Sequence, residues 1–340
     1  MQLRNIYDRQ TLERLLTKEP FERKTISFYR YVSIKDPVTL RDQLYKEWSD
    51  LGVLGRIYLS QEGMNAQMNI PQPNLEAFRQ NLERSPYFQG VPFKHAVDEG
   101  PSFIKLAIKV KGKLVADGLS VDDYDLTVRG RHLPPEEFNK AMENPDSLIV
   151  DMRNRYESRI GHFVGAITPD SDTFAEELVM VKELLQKQKG KKLLLYCTGG
   201  IRCEKASAYL LKQGFTDVNQ LEGGIIAYGH AVKEGRVQNR FRGKNFVFDE
   251  RSVEAISDDV ISTCDQCENP SDHQINCTNQ MCHVLFIQCQ ACARRWPNAC
   301  SPECLTISRL PAKEQKARRR GNSHPTAKQS VRERLRPRLK

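Results

Sequence analysis

Cys197 stands between an apolar run, Leu193-Leu194-Leu195-Tyr196, and a turn, Thr198-Gly199-Gly200-Ile201, that passes into Arg202-Cys203-Glu204-Lys205. The run predicts a buried strand, and the residues from Glu204 to Gln213, closed by Gly214, predict a helix. A cysteine at such a strand-to-helix turn meets curled backbone amides and the positive end of a helix dipole. Both favour thiolate over thiol, and a thiolate is a nucleophile. Gly199 and Gly200 let the amides of Thr198 to Arg202 face inward, and a merely structural cysteine would need neither them nor Arg202. Arg202 could orient a substrate or an anion with its fork of donors, or simply close a salt bridge at the helix end. Cys203 could resolve an oxidised Cys197, although a cysteine in a first helical turn also serves as packing. Asp151 ends the apolar run Leu148-Ile149-Val150, and Glu222 follows Val218-Asn219-Gln220-Leu221. Each could be an acid or base, or a hydrogen-bond partner of the loop backbone. Arg153 and His162 read more readily as structural.

A second chemistry lies toward the C-terminus. Cys264-x₂-Cys267, Cys277-x₄-Cys282, Cys289-x₂-Cys292 and Cys300-x₃-Cys304 place eight cysteines within 41 residues. Thiolates in such pairs suit zinc or iron–sulfur, and the even count points to two closed, structural Cys₄ zinc sites. Which pairs share an ion stays open, an interleaved arrangement being one option. His273 or His283 could replace a cysteine; a capping or solvent-facing histidine is the simpler reading.

The elements that must position these residues need two or three domains in 340 residues. No run of 18 apolar residues predicts a membrane span. The start, Met1-Gln2-Leu3-Arg4-Asn5-Ile6-Tyr7-Asp8, has no apolar signal core, so a cytoplasmic, reducing setting is expected, with the ten cysteines free of disulfides. The net charge of +9 is all in residues 311–340, which hold eleven Lys/Arg against two Glu. That stretch is expected to be disordered, and serves either as a phosphate tether or as a solubilising tail.

Residues 24–118 read as β-α-β-β-α-β, a ferredoxin-like layout: strands at Thr25–Val32, Gly55–Leu59, Asn65–Ile70 and Phe103–Val110, and helices marked by Leu40, Leu44, Tyr45 and Trp48 and by Leu75, Phe78 and Leu82. Phe28, Tyr29 and Tyr31 could stack on bases, but an alternating strand buries one face and core packing is the simpler reading. Residues 145–240 alternate strand and helix, which predicts a parallel sheet with ligands at the carboxyl ends of its strands, where Asp151, Cys197 and Glu222 fall.

The ordered motifs Asp151–Glu157, Gly161–Ala166, the Cys197 loop and Leu221–Gly224 resemble those of a rhodanese domain. In that family the loop cysteine carries a persulfide or otherwise acts as a nucleophile, and Cys197 is the matching position. Phosphatases of this fold space cysteine and arginine by five residues; only Thr198 to Ile201 intervene here, which disfavours phosphate chemistry. With Thr25–Tyr29, Gln61–Gln67, Gly243–Arg251 and the cysteine-rich end, the arrangement over about residues 22–310 resembles the bacterial tRNA uridine hydroxylases. The resemblance implies 5-hydroxylation of the wobble uridine, with tRNA as substrate and molecular oxygen as co-substrate. No NAD or flavin motif is present, and no His/carboxylate set at non-haem iron spacing. The Cys197 thiolate could add to C6 of uracil and enrich C5, or an oxidised or persulfidated Cys197 could take part in the oxygen chemistry. Sulfur transfer through Cys197, and a non-catalytic zinc and RNA scaffold, are the competing functions. The expected order is a ferredoxin-like (acylphosphatase-like) domain (1–120), a linker (121–144), a rhodanese-like catalytic domain (145–240), a zinc-binding region (241–310) and the basic tail (311–340). The sequence fixes no oligomeric state.

Overall fold

A computed structural model describes residues 5–321. After a short helix, α1 (Arg9–Leu16), the first unit runs β1 (Arg23–Tyr31), α2 (Pro37–Asp50), β2 (Leu54–Ser60), β3 (Gly63–Pro71), α3 (Leu75–Glu83), β4 (Lys94–His95) and β5 (Leu106–Val110). Asp36 starts α2 by accepting from the Val38 and Thr39 amides, and Pro37 fills the first helical position, where no donor is needed. Strand alternation sends Ile26, Phe28, Ile57, Leu59, Met64, Ala66 and Met68 into a core closed by Trp48 and Phe78. Residues of the opposite parity, among them Tyr29, Tyr31, Arg56, Tyr58, Asn65 and Gln67, lie on the other face of the sheet.

The sheet order is β4-β1-β3-β2-β5. The ferredoxin-like layout is therefore present, with one correction. Its fourth strand is the two-residue β4 beside β1, whereas the stretch read as the last strand forms β5, a fifth strand parallel to β2 on the opposite edge. β4 is too short and polar to show a period-2 pattern.

The second unit comprises β6 (Arg131–Leu133), α4 (Pro135–Ala141), β7 (Leu148–Asp151), α5 (Arg155–Ser158), β8 (Gly161–Phe163), α6 (Phe174–Leu184), β9 (Lys192–Tyr196), α7 (Ile201–Lys212), β10 (Asp217–Leu221) and α8 (Gly224–Lys233). Its parallel sheet has the order β6-β10-β9-β7. Leu193 and Leu195 face a core shared with α6 and α7, and Leu194 and Tyr196 face the opposite core, which explains the uninterrupted apolar run of β9. The expected linker is corrected here: β6 hydrogen-bonds to β10, and Phe138 of α4 is fully buried. A three-residue edge strand carries too little alternation to be read from sequence.

β11 (Phe241–Phe246) pairs with β8 and with β12 (Val253–Ala255), which stitches the C-terminal region onto the second unit. β13 (Gln274–Asn276), β14 (Leu285–Ile287), α9 (Gln290–Arg295) and α10 (Pro302–Ser308) frame the cysteines. The tail expected to be disordered begins as a helix, α11 (Ala312–Gly321); its remainder lies outside the described residues. No helix among the described residues is long and apolar enough to cross a membrane.

One buried cation fastens the first two units. Lys205 of α7 is fully buried, its Nζ 2.5 Å from Asp117 and 2.8 Å from Glu62 at the β2–β3 turn. Removing one partner of a buried pair strands the other charge. Lys205→Met should therefore cost about 3 kcal/mol or more, read as a lower denaturation midpoint in urea. A loss below about 1 kcal/mol would show that the pair acts as a solvated surface bridge instead.

Candidate active site

β9 delivers Cys197 to the carboxyl edge of the parallel sheet, and Gly200, at φ 100°, turns the chain into α7. This left-handed geometry aims the Gly200 amide at the sulfur, 3.1 Å from Sγ. Burial by itself raises the Cys197 pKa. The Cys203 thiol, which donates to the sulfur, the Arg202 charge and the Arg202 and Gly200 amides outweigh it and bring the value down to about 5. Cys203, buried and donating to an anion, is pushed well above the ordinary thiol range. Cys197 is thus a thiolate at neutral pH and Cys203 its protonated neighbour.

The Arg202 side chain touches the loop only at Thr198, whose hydroxyl accepts from Nη2 at 3.4 Å. Its two terminal nitrogens lie 2.6 and 2.8 Å from the carboxylate of Glu157, which is buried on α5. Glu157 is fixed in turn by the capping box at Asn154. The fork is therefore filled by protein, and Arg202 acts on Cys197 as a fixed field. Glu177 of α6 is buried without a hydrogen-bond partner among the described residues; burial pushes its pKa well up, against the pull of the Arg202 charge.

Leu221-Glu222-Gly223-Gly224 supports the loop from the other side. The Ile225 and Ile226 amides donate to the Cys197 and Thr198 carbonyls at 3.0 and 3.1 Å. A Cβ on Gly224 would lie 2.5 Å from the Cys197 carbonyl oxygen, so only glycine allows this approach.

The first unit closes the site. Tyr29 Oη donates to Glu204 at 2.9 Å, and Tyr31 Oη to the Ile201 carbonyl at 3.3 Å. A Cβ on Gly200 would come within 2.8 Å of Tyr29 Oη. Glu204 also takes Arg129 at 3.0 Å and His132 at 2.8 Å; burial opposes its ionisation, but these contacts hold its pKa below the usual range. Between the units lies a cavity of about 420 Å³, lined by Cys197, Thr198, Gly199 and Ile201 on one side and by Arg56, Asn65, Gln67 and Lys94 on the other. Lys94 Nζ sits 4.3 Å from the centre of the Tyr29 ring. Burial lowers its pKa and the negative charges of Cys197 and Glu204 partly restore it, to about 8. It makes no hydrogen bond or ion pair to protein among the described residues.

Several expected residues fall elsewhere. Asp151 is buried and spent on Arg153, whose Nε and Nη2 lie 2.8 and 2.6 Å from it. Glu222 is exposed, and His162 Nδ1 meets the Ser158 carbonyl at 2.9 Å. Phe28 is core, whereas Tyr29 and Tyr31 brace the loop. Sequence reading missed Glu157, Lys94, Asn65 and Gln67, which reach the site from α5 or from the first unit.

The eight other cysteines form two groups, Cys264/Cys267/Cys289/Cys292 and Cys277/Cys282/Cys300/Cys304, with the sulfurs of each within 4.8 Å of one another. The pairs interleave along the chain. Four converging thiols suit a tetrahedral thiophilic ion, and neither His273 nor His283 joins a group.

Three family models match in order: the UPF0176 acylphosphatase like domain (23–114), the Rhodanese-like domain (134–231) and the Rhodanase C-terminal region (242–305). A Leptospira interrogans protein named tRNA uridine(34) hydroxylase is 53% identical over 94% of this chain and 87% of its own length. A Photorhabdus laumondii protein of the same name is 47% identical over 95% of this chain and 92% of its own. The chain belongs to the tRNA uridine(34) hydroxylase family. Among solved structures, a rhodanese-like domain from Anabaena sp. matches 33% of this chain and 78% of its own, at 20% identity and a TM-score of 0.27. In this member of the hydroxylase family the rhodanese loop does not stand alone, because the acylphosphatase-like sheet is its lid.

The charge state of Cys197 is directly measurable. Its thiolate fraction rises with pH through about 5, so iodoacetamide alkylation should climb there and stay level from pH 6 to 8. Arg202→Gln should move the rise upward by about one pKa unit, slowing alkylation about tenfold at pH 4 but only about twofold at pH 6. An unshifted profile would remove Arg202 from the set of stabilising groups.

Proposed function

We propose that this chain hydroxylates C5 of the wobble uridine of tRNA, with Cys197 as the nucleophile. The observation that carries the reading is an ionised cysteine opening into an interdomain cavity whose facing wall is polar. The volume of about 420 Å³ admits a nucleobase, and the carboxamides of Asn65 and Gln67 offer donors and acceptors to the edge of a uracil. The names of the relatives favour hydroxylation over sulfur transfer or a scaffold.

In this proposal the Cys197 sulfur bonds to C6, and the C5=C6 electron pair shifts toward C4, placing negative charge on O4. The Lys94 ammonium, which has no acceptor among the described residues, faces that oxygen. C5 becomes electron-rich and takes one atom of molecular oxygen; an external donor of two electrons, with two protons, reduces the other atom to water. Loss of the C5 proton and departure of the thiolate restore the double bond. Arg202, Cys203 and the Gly200 amide stabilise the sulfur both before addition and as it leaves. Each Cys₄ group holds one zinc ion, whose four thiolates leave no open position, so the metals serve the fold. The exposed Lys313, Lys316 and Arg318 of α11 add phosphate contacts to tRNA. A reducing cytoplasm suits ten unpaired cysteines.

Nucleoside mass spectrometry of tRNA treated with the purified protein and an electron donor tests the reading. Cys197→Ser should abolish 5-hydroxyuridine; undiminished product would overturn the nucleophile. The rate should rise through about pH 5 as Cys197 ionises and fall near pH 8 as Lys94 loses its proton. Lys94→Met should cost about 100-fold and erase the alkaline fall, whereas Lys94→Arg should extend activity to higher pH. An alkaline fall that survives Lys94→Met would exclude Lys94 from the step.

Metal analysis of the native protein should return two zinc ions per chain. Stripping them should lower the melting temperature, and the 53%-identical relative provides a second protein on which to repeat the test. One ion or none would overturn the two-site reading.

A further inference from the structure

We infer that a groove leading from the Cys197 cavity to the cysteine-rich module holds the RNA strand that flanks the target uridine, with the module as its outer wall. The inference rests on the hydroxylation reading above and gives the module a substrate-binding role beside its structural one.

Continuity is the first argument. The groove has a volume of about 870 Å³, roughly twice that of the cavity, and the two share Arg56, Phe103, Val247, Phe248, Asp249 and Arg251 along their common border. A base lying against Cys197 would thus have its neighbouring nucleotides directed into open, continuous space. The half-buried Phe248 ring stands at the junction, where a neighbouring base could stack.

Charge is the second. The groove carries three carboxylates, and each is already engaged by a cation of the same groove: Asp249 by Arg251 at 2.6 Å, Glu250 by Arg9 at 2.6 Å and Asp272 by Lys244 at 2.9 Å. Arg56 and Lys105 are left over, both exposed and without an ion pair among the described residues. Two unneutralised cations on one wall of a continuous channel suit a phosphodiester strand rather than an acidic or neutral small molecule.

The far wall is the third. His273, Gln274, Asn276, His283 and Asn298 line it from the module. His283 follows Cys282 directly, and Gln274 and Asn276 lie on the β13 strand that precedes Cys277. These hydrogen-bonding side chains are therefore placed by the same segments that gather the thiolates. Such polar groups can hydrogen-bond sugar hydroxyls and base edges, which suits single-stranded RNA.

The test uses the full-length, zinc-loaded protein and tRNA carrying 4-thiouridine at the nucleotide on either side of the target uridine. After irradiation, peptides joined to RNA are identified by mass spectrometry. Crosslinks within residues 244–253 or 272–285 are expected from at least one of the two positions. In parallel, Lys105→Glu should reduce the salt slope of tRNA binding by about one and raise the KM for tRNA. Because Lys105 is exposed, the melting temperature of this variant checks that it folds. Wild-type protein that hydroxylates tRNA but crosslinks only outside these segments, or a Lys105→Glu slope equal to wild type, would overturn the groove and leave the function standing. Wild-type protein that makes no 5-hydroxyuridine while crosslinking in the groove would instead overturn the hydroxylation reading.

Discussion

The site depends on keeping a negative sulfur where water scarcely reaches it. Burial alone would push Cys197 toward the neutral thiol, as it does its neighbour Cys203. Three different contributions reverse the sign for one sulfur and not the other: an amide pair fixed by the left-handed Gly200, a guanidinium locked by Glu157, and the thiol of Cys203 itself. None of these needs to move during a reaction, so the field at the sulfur is in place before substrate arrives. The cost appears in the surroundings. Glu157, Arg202, Asp151, Arg153 and Glu177 are all buried together, and such a group is stable only when every charge is paired or neutralised. At Glu177, burial favours the neutral carboxyl.

The same constraint explains why the first unit sits where it does. A thiolate loop open to water would exchange its fixed donors for solvent, and the acylphosphatase-like sheet prevents this by placing Tyr29 and Tyr31 on the loop backbone and on Glu204. Glu204 then acts as a hub, drawing Tyr29 from one unit and Arg129 and His132 from the start of the next toward the first turn of α7. Lys205, one residue on, pairs with Glu62 and Asp117. The consecutive residues after Cys203 thus anchor one end of the interface. The cavity and the interdomain contact are one construction.

Much of this was legible in the residues. The Cys197 loop, the parallel sheet behind it and the eight clustered cysteines announce themselves because their signals are local: an apolar run, a glycine pair, a spacing. What could not be read is what arrives from a distance. Asp151 has the right position at a strand end, yet its carboxylate is consumed by Arg153 two residues on, a choice set by burial and not by spacing. Arg202 carries no mark in sequence that its fork belongs to Glu157, 45 positions earlier. Lys94 lies on a two-residue strand with no period to reveal it, and β6 was hidden for a similar reason. Short edge strands place residues through tertiary pairing alone.

The interface also shapes how a nucleotide can enter. In the proposed reaction a uracil would enter the cavity with one face toward the thiolate loop and an edge toward Arg56, Asn65 and Gln67, which requires its extrusion from its neighbours. Unstacking a base costs on the order of a few kcal/mol, least where the nucleotide is already in a loop. The carboxamides of Asn65 and Gln67 offset only part of that cost, and the charge of Arg202 is committed to Glu157 and the sulfur. Compensation has to come from outside the cavity, from contacts to the rest of the RNA. Lys105 of the groove and the basic residues of α11 lie outside it, and Arg56 stands on its border. Chemistry and affinity are in this way assigned to different parts of the molecule: the rhodanese loop can hold its charge fixed because other surfaces provide the binding energy.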